Sequence, residues 1–170
     1  MRFKNYFVIS FLAGVLAGCG SMPKTPDLLV QNANDSKMYS EKDVFEVKRP
    51  ISQVTTVLKE KSAECLQRKI ESRWREGGLN RRQVTALTPK VEVSKDHTQL
   101  TLQTKTVEGS TDLGDIPADG WYIMVVNAYP KDKSTTRVES YFQYTAYKTA
   151  FTAIKPWVTG SNLGCPDLTQ

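Results

Sequence analysis

The chain is short of the groups that most enzymes work with. Its 170 residues include one histidine, His97, so no pair of histidines can hold a zinc ion. The residues around it, Lys95-Asp96-His97-Thr98, read as a turn. There is no Gly-x-Ser-x-Gly elbow to present a serine nucleophile. No apolar run reaches the roughly 20 residues that a membrane-crossing helix needs. Basic residues outnumber acidic ones, 23 to 18, yet they form no run of nucleic-acid type. Arg81-Arg82 and Lys131-Asp132-Lys133 are short and mixed, which argues against a nucleic-acid partner. These absences predict no catalytic residues, no metal site and no cofactor.

What the chain does have stands at its start. Arg2 and Lys4 precede an apolar stretch from Tyr6 to Val15, and small residues follow before Cys19. A charged start, a short apolar core and small residues before a cut site make a secretory signal peptide. The stretch Leu16-Ala17-Gly18-Cys19 resembles the lipobox of bacterial lipoproteins. That resemblance implies a diacylglyceryl group on the Cys19 thiol, cleavage before Cys19, and acylation, for example by palmitate, of the new amine. In a Gram-negative cell, Gly20 rather than aspartate after the cysteine implies the periplasmic face of the outer membrane. The expected organisation is therefore a signal peptide over 1–18, a lipidated flexible tether over 19–42, and one α+β periplasmic domain over 43–170. Removing residues 1–18, which carry Arg2 and Lys4 and no acid, takes the net charge from +5 to +3.

Acylation of Cys19 leaves two of the three cysteines, Cys65 and Cys165. An exported domain meets an oxidising compartment, so a Cys65–Cys165 disulfide is expected, with two buried free thiols as the other reading. The histidine count leaves a shared metal site at these cysteines without support.

Gly20 to Lys42 is polar and contains Pro23 and Pro26, with one apolar triplet, Leu28-Leu29-Val30. Phe45 and Val47 alternate with Glu46 and Lys48, the period of a strand. Pro50 suits the first turn of a helix, expected to run to about Arg68. On it Ile51, Val54, Leu58, Ser62 and Cys65 share one face. A short strand over Ile70–Trp74 and a break at Gly77-Gly78 follow. Further strands are expected over Gln83–Leu87, ended by Pro89, and over Lys90–Ser94, Thr98–Val107, Trp121–Tyr129 and Thr135–Tyr144. Tyr147, Ala150, Phe151, Ile154 and Val158 then repeat at helical spacing up to Gly160, with Pro156 inside.

This order predicts an α+β domain, an antiparallel twisted sheet with two helices packed on one face. In element order it resembles the helix-grip arrangement, including the helix-grip lipoprotein subunit of the outer-membrane β-barrel assembly machinery. The resemblance spans about residues 43–160 and includes no shared motif, so it assigns no functional residue.

Two features invite a functional reading. Asp112, Asp115 and Asp119 lie close together in one loop, but without the alternate spacing of an EF-hand; a solvated loop whose aspartates cap turns is expected. Trp121, Tyr122, Tyr141, Phe142, Tyr144, Tyr147, Phe151 and Trp157 crowd the C-terminal third. Most are expected in the core, while an incompletely filled grip would take an apolar ligand. The first functional expectation is a lipid-anchored, non-catalytic envelope protein, held to the membrane through Cys19 and acting on a protein partner. A carrier or sensor of an apolar or lipid ligand is the second. A hydrolase of envelope polymers is the third, because paired carboxylates can come from distant positions.

Overall fold

The computed structural model describes residues 22–37, 39–109 and 116–169. Leu16–Cys19, Asp112 and Asp115 lie outside the described residues. Six strands form one antiparallel sheet: β1 (Ser40–Val47), β2 (Arg68–Glu76), β3 (Leu79–Val93), β4 (Thr98–Glu108), β5 (Trp121–Pro130) and β6 (Thr136–Gln143). Their spatial order is β1-β6-β5-β4-β3-β2. The first strand thus closes against the last, and β2 forms the far edge. Register shifts at Val84/Thr85 and at Leu102/Gln103 are bulge-type irregularities, which bend a sheet and raise its twist.

One face of the sheet is covered by α2 (Ile51–Lys61) and α3 (Lys148–Thr159). Between helices and sheet lies the main core, in which Val54, Leu58, Leu87, Leu102, Met124, Phe142 and Ile154 are buried. The helical spacing of Ile51, Val54, Leu58 and Cys65 accounts for this directly, since residues three and four apart stack on one face. The end of α2 widens into a turn of π-type helix over Ser62–Leu66, and the chain enters β2 two residues later. In α3, Pro156 leaves the helix running on to Thr159, where Gly160 in the left-handed region, with φ +92°, ends it.

The opposite face carries a helix where the sequence suggested a tether. Pro26–Asn34 forms α1, capped by the Thr25 hydroxyl, which accepts from the Leu28 N–H. The triplet Leu28-Leu29-Val30 docks on the sheet, with Leu29 and Ala33 packed against Val125 and Tyr141. Asn32 Nδ2 donates to Gln143 Oε1 at 2.8 Å within this layer. The folded unit therefore begins before residue 43, and the sheet has helices on both faces rather than two on one. Alternating strand residues explain why this was possible. β5 is apolar on both sides, with Met124, Val126 and Ala128 in the main core and Val125 on the other face beside Tyr141 of β6, so the residues that point away from the main core need a cover of their own. Leu29→Ala should lower unfolding stability by about 2–3 kcal/mol in chemical denaturation, near the low end for buried leucines because a single peripheral helix can settle into the gap.

Pro89 does not end a strand. It lies inside the 15-residue β3, two positions beyond Leu87, the last residue that β2 pairs. From there one side of β3 is a sheet edge, where proline's missing donor is tolerated.

The Sγ atoms of Cys65 and Cys165 are bonded, with Cα atoms 5.0 Å apart. This bond holds the irregular tail 161–169 against the helical layer. Leu168 is buried in the main core, Trp157 Nε1 donates to the Gly164 carbonyl at 3.3 Å, and the Thr149 hydroxyl donates to the Asp167 carbonyl.

Candidate functional site

A cavity of about 280 Å³ opens where the chain enters the fold. Its floor is the face of β2, β3 and β4 on the α2 and α3 side, which supplies Ser72, Gln83, Thr85, Thr104 and Thr106. Its walls are Trp121 at the start of β5, and Tyr144 and Tyr147 where β6 passes into α3. Met22, the first described residue, sits at its rim together with Ile116. The Tyr122 N–H donates to the Pro23 carbonyl at 3.0 Å, which ties the incoming chain to the same end of the sheet.

The chemistry of the cavity is neutral. Burial pushes the Tyr147 phenol above its ordinary value, and hydrogen bonds with the Thr85 and Thr104 side chains pull the other way. The indole Nε1 of Trp121 is buried with no hydrogen-bond partner among the described residues, an uncommon state for a buried donor. Tyr144 has φ +96° and donates its N–H to the Tyr39 carbonyl, Tyr39 having φ +62°. A bulky residue in that region carries strain. Of the aromatic residues singled out in the sequence, Phe142, Phe151 and Trp157 pack in or against the main core. Tyr122 and Tyr141 lie beneath α1, which leaves Trp121, Tyr144 and Tyr147 at the cavity.

Next to the cavity stands the β2–β3 hairpin. Beyond Val84, β3 has no partner in β4, so the hairpin projects past the sheet, and every residue from 71 to 82 is exposed. Residues 68–82 contain six basic and two acidic side chains. Trp74 faces Arg81 across the ladder, and Arg73 faces Arg82. Arg82 reaches Glu71 at 3.0 Å and Glu108 at 2.6 Å, and these contacts hold the Glu71 carboxyl below its usual range, hydrogen bonding by Arg82 being the larger cause and by Arg73 the next. Trp74 and Leu79 remain 42% and 60% exposed. In the sequence Arg81-Arg82 stands as an isolated short pair; pairing across Gly77-Gly78 sets it beside Arg73 and Arg75. Two strand-like segments flanking a Gly-Gly pair were the available signal.

At the other end of the sheet, Ser94, Asp96 and His97 come together in the β3–β4 turn. The Ser94 hydroxyl lies 2.8 Å from His97 Nδ1, and Asp96 Oδ1 lies 3.1 Å from the same nitrogen. This is not a catalytic triad. A relay needs the serine on one ring nitrogen and the carboxylate on the other; here both crowd Nδ1. The hydroxyl of Ser94, and then His97, hold the Asp96 carboxyl below its ordinary value, as expected of a turn-capping aspartate. Glu64 lies beside Cys65 and Cys165, but sulfur atoms bonded to each other are not thiolate ligands. Asp119 is an exposed residue just before Gly120.

No protein-family model matches the chain, and no curated protein matches it at a significant level. No described helix is long and apolar enough to cross a membrane.

Proposed function

We propose that this is an envelope lipoprotein, anchored through Cys19, whose domain is non-catalytic and acts through contact with another envelope protein. The observation that carries this reading is the polarity of the fold. β5 starts at Trp121, beside the entering chain, and ends at Pro130, about 30 Å away at strand spacing. Pro130 lines a groove of about 320 Å³ with Ile51, Thr55, Val93 and His97. Ile51, Val93 and Pro130 give it an apolar strip among polar neighbours, and Val93 is 55% exposed. A domain held by its chain-entry end presents this groove away from the bilayer, where a partner can reach it. The closure of β1 on the last strand and the two helices over the sheet support a helix-grip assignment. The lipobox supports the outer-membrane periplasmic face in a Gram-negative cell.

A photo-crosslinking amino acid at Val93 in whole cells should trap a discrete partner protein. The same residue at exposed Thr88 on β3 is the control. No product from Val93 beyond the control overturns the contact reading. Cys19→Ser tests the anchor separately and should leave the protein unprocessed or soluble. A processed variant that still sediments with membranes rules the anchor out.

The Trp121 N–H, partnerless among the described residues, favours a second reading, a small-ligand sensor. Neither 280 Å³ nor a hydroxyl-lined floor suits a long acyl chain, so the ligand would be small with polar edges. Native mass spectrometry of the purified protein should then show a bound small molecule.

A further inference from the structure

We propose that the tip of the β2–β3 hairpin is a membrane-contact element, docking on an anionic lipid surface with Trp74 at the headgroup level. The inference rests on the anchored reading above and adds which part of the domain meets the bilayer. Its first ground is position. Met22 and Ser72 border the same cavity. Cys19 precedes Met22 by three residues, which span at most about 11 Å. A lipid on Cys19 therefore holds that end of the sheet close to the membrane. From Ser72 the hairpin runs on for five residues to Gly77, a reach of about 17 Å, comparable to what the tether allows.

The second ground is composition. Tryptophan prefers the membrane–water interface, where an apolar ring and a polar N–H are both satisfied. Basic side chains beside it are drawn to anionic headgroups. The hairpin combines the two: Trp74 is opposite Arg81 on one face, and Arg73 is opposite Arg82 on the other. Glu71, Glu76 and Glu108 pair with some of these arginines, but basic groups remain in excess, and among the described residues Arg75 bonds to the neutral Asn80 side chain at 3.3 Å and to no carboxylate. The third ground is exposure. Trp74 and Leu79 are large apolar side chains left uncovered on a hairpin that runs past the last β3–β4 pair, whereas Trp121 and Trp157 are buried.

The last contrast supplies the experiment. The full lipidated protein is placed in vesicles of brominated phosphatidylcholine with or without phosphatidylglycerol, and flotation and tryptophan emission are both recorded. Bromine quenches only the indoles that reach it. Wild-type protein should float with both vesicles and lose one tryptophan's share of emission, more strongly with phosphatidylglycerol. Trp74→Phe should float equally and show no quenching. Arg75→Glu combined with Arg81→Glu should float and lose the dependence on anionic lipid. Protein that floats with Trp74 unquenched overturns the hairpin proposal and leaves the anchor standing; a crosslink from position 74 to an acidic protein would then reassign the surface. Protein that does not float brings down the anchored reading, and this one with it.

Discussion

Cys165→Ala should melt roughly 10 °C below the wild type. The bond it removes closes a loop of 100 residues. In the chain-entropy model such a closure is worth about 4–5 kcal/mol, an upper figure because residual structure in the unfolded chain reduces it. At about 2–4 °C per kcal/mol for a domain of this size, a ten-degree shift corresponds to about 2.5–5 kcal/mol, within reach of that closure. The tail adds to the loss: without the bond, Leu168 in the core and the hydrogen bonds Trp157–Gly164 and Thr149–Asp167 are left to hold nine irregular residues, 161–169. Cys165 is exposed while Cys65 is buried, so truncating Cys165 opens no cavity and isolates the crosslink. Thermal melts followed by circular dichroism provide the check. Reductant should lower the wild type to the variant's midpoint and leave the variant where it is. Equal midpoints for variant and wild type without reductant would mean the crosslink contributes nothing.

Gly120→Ala should cost about 4 kcal/mol. Gly120 has φ +92°, and a Cβ there would run into the Thr104 carbonyl, within 2.9 Å of its carbon, and come within 3.0 Å of Lys105 Cβ. A non-glycine residue in that region costs about 1–3 kcal/mol, and forcing the strands apart adds a similar amount, as overpacking does. The obstacle is backbone of β4, which cannot swing aside as a side chain would. Gly120 stands directly before β5, so the damage falls on the β4–β5 pairing that frames the cavity. Gly77 is the control. It too has positive φ, +55°, but nothing lies within 4 Å of an added Cβ, so Gly77→Ala should cost about 1 kcal/mol. Urea titration of the two variants should separate them clearly. Equal midpoints would show that conformation alone, and not the approach of Thr104, demands glycine at position 120.

The contrast between the two glycines is a measure of what sequence can say. Gly77-Gly78 reads as a break between strands, and it is one; nothing local says that Gly120 must also clear the Thr104 carbonyl. Local chemistry carried that far, as it did for the face bearing Val54 and Leu58 on α2 and Cys65 in the turn after it, for the alternation of Phe45 and Val47, and for the α+β class. Each of these depends on residues within a turn or two of one another, whose spacing is written in the chain.

Three decisions needed the assembled sheet. Leu28-Leu29-Val30 is too short a pattern to announce a docked helix; α1 forms because Val125 and Tyr141 on the far face leave a surface to cover. Pro89 reads as a strand end, and is tolerated within β3 because β2 stops pairing at Leu87, a fact about the neighbouring strand. The arginines at 73 and 75 and those at 81 and 82 are separate short pairs along the chain. They become one basic surface beside Trp74 only when the Gly77-Gly78 turn folds β2 onto β3. Where a segment repeats its apolar residues over a full period, sequence alone determined whether it is helical or extended and which side is apolar. The tertiary structure decided which of those sides meet, because burial and edge exposure belong to pairs of elements that lie far apart in the chain.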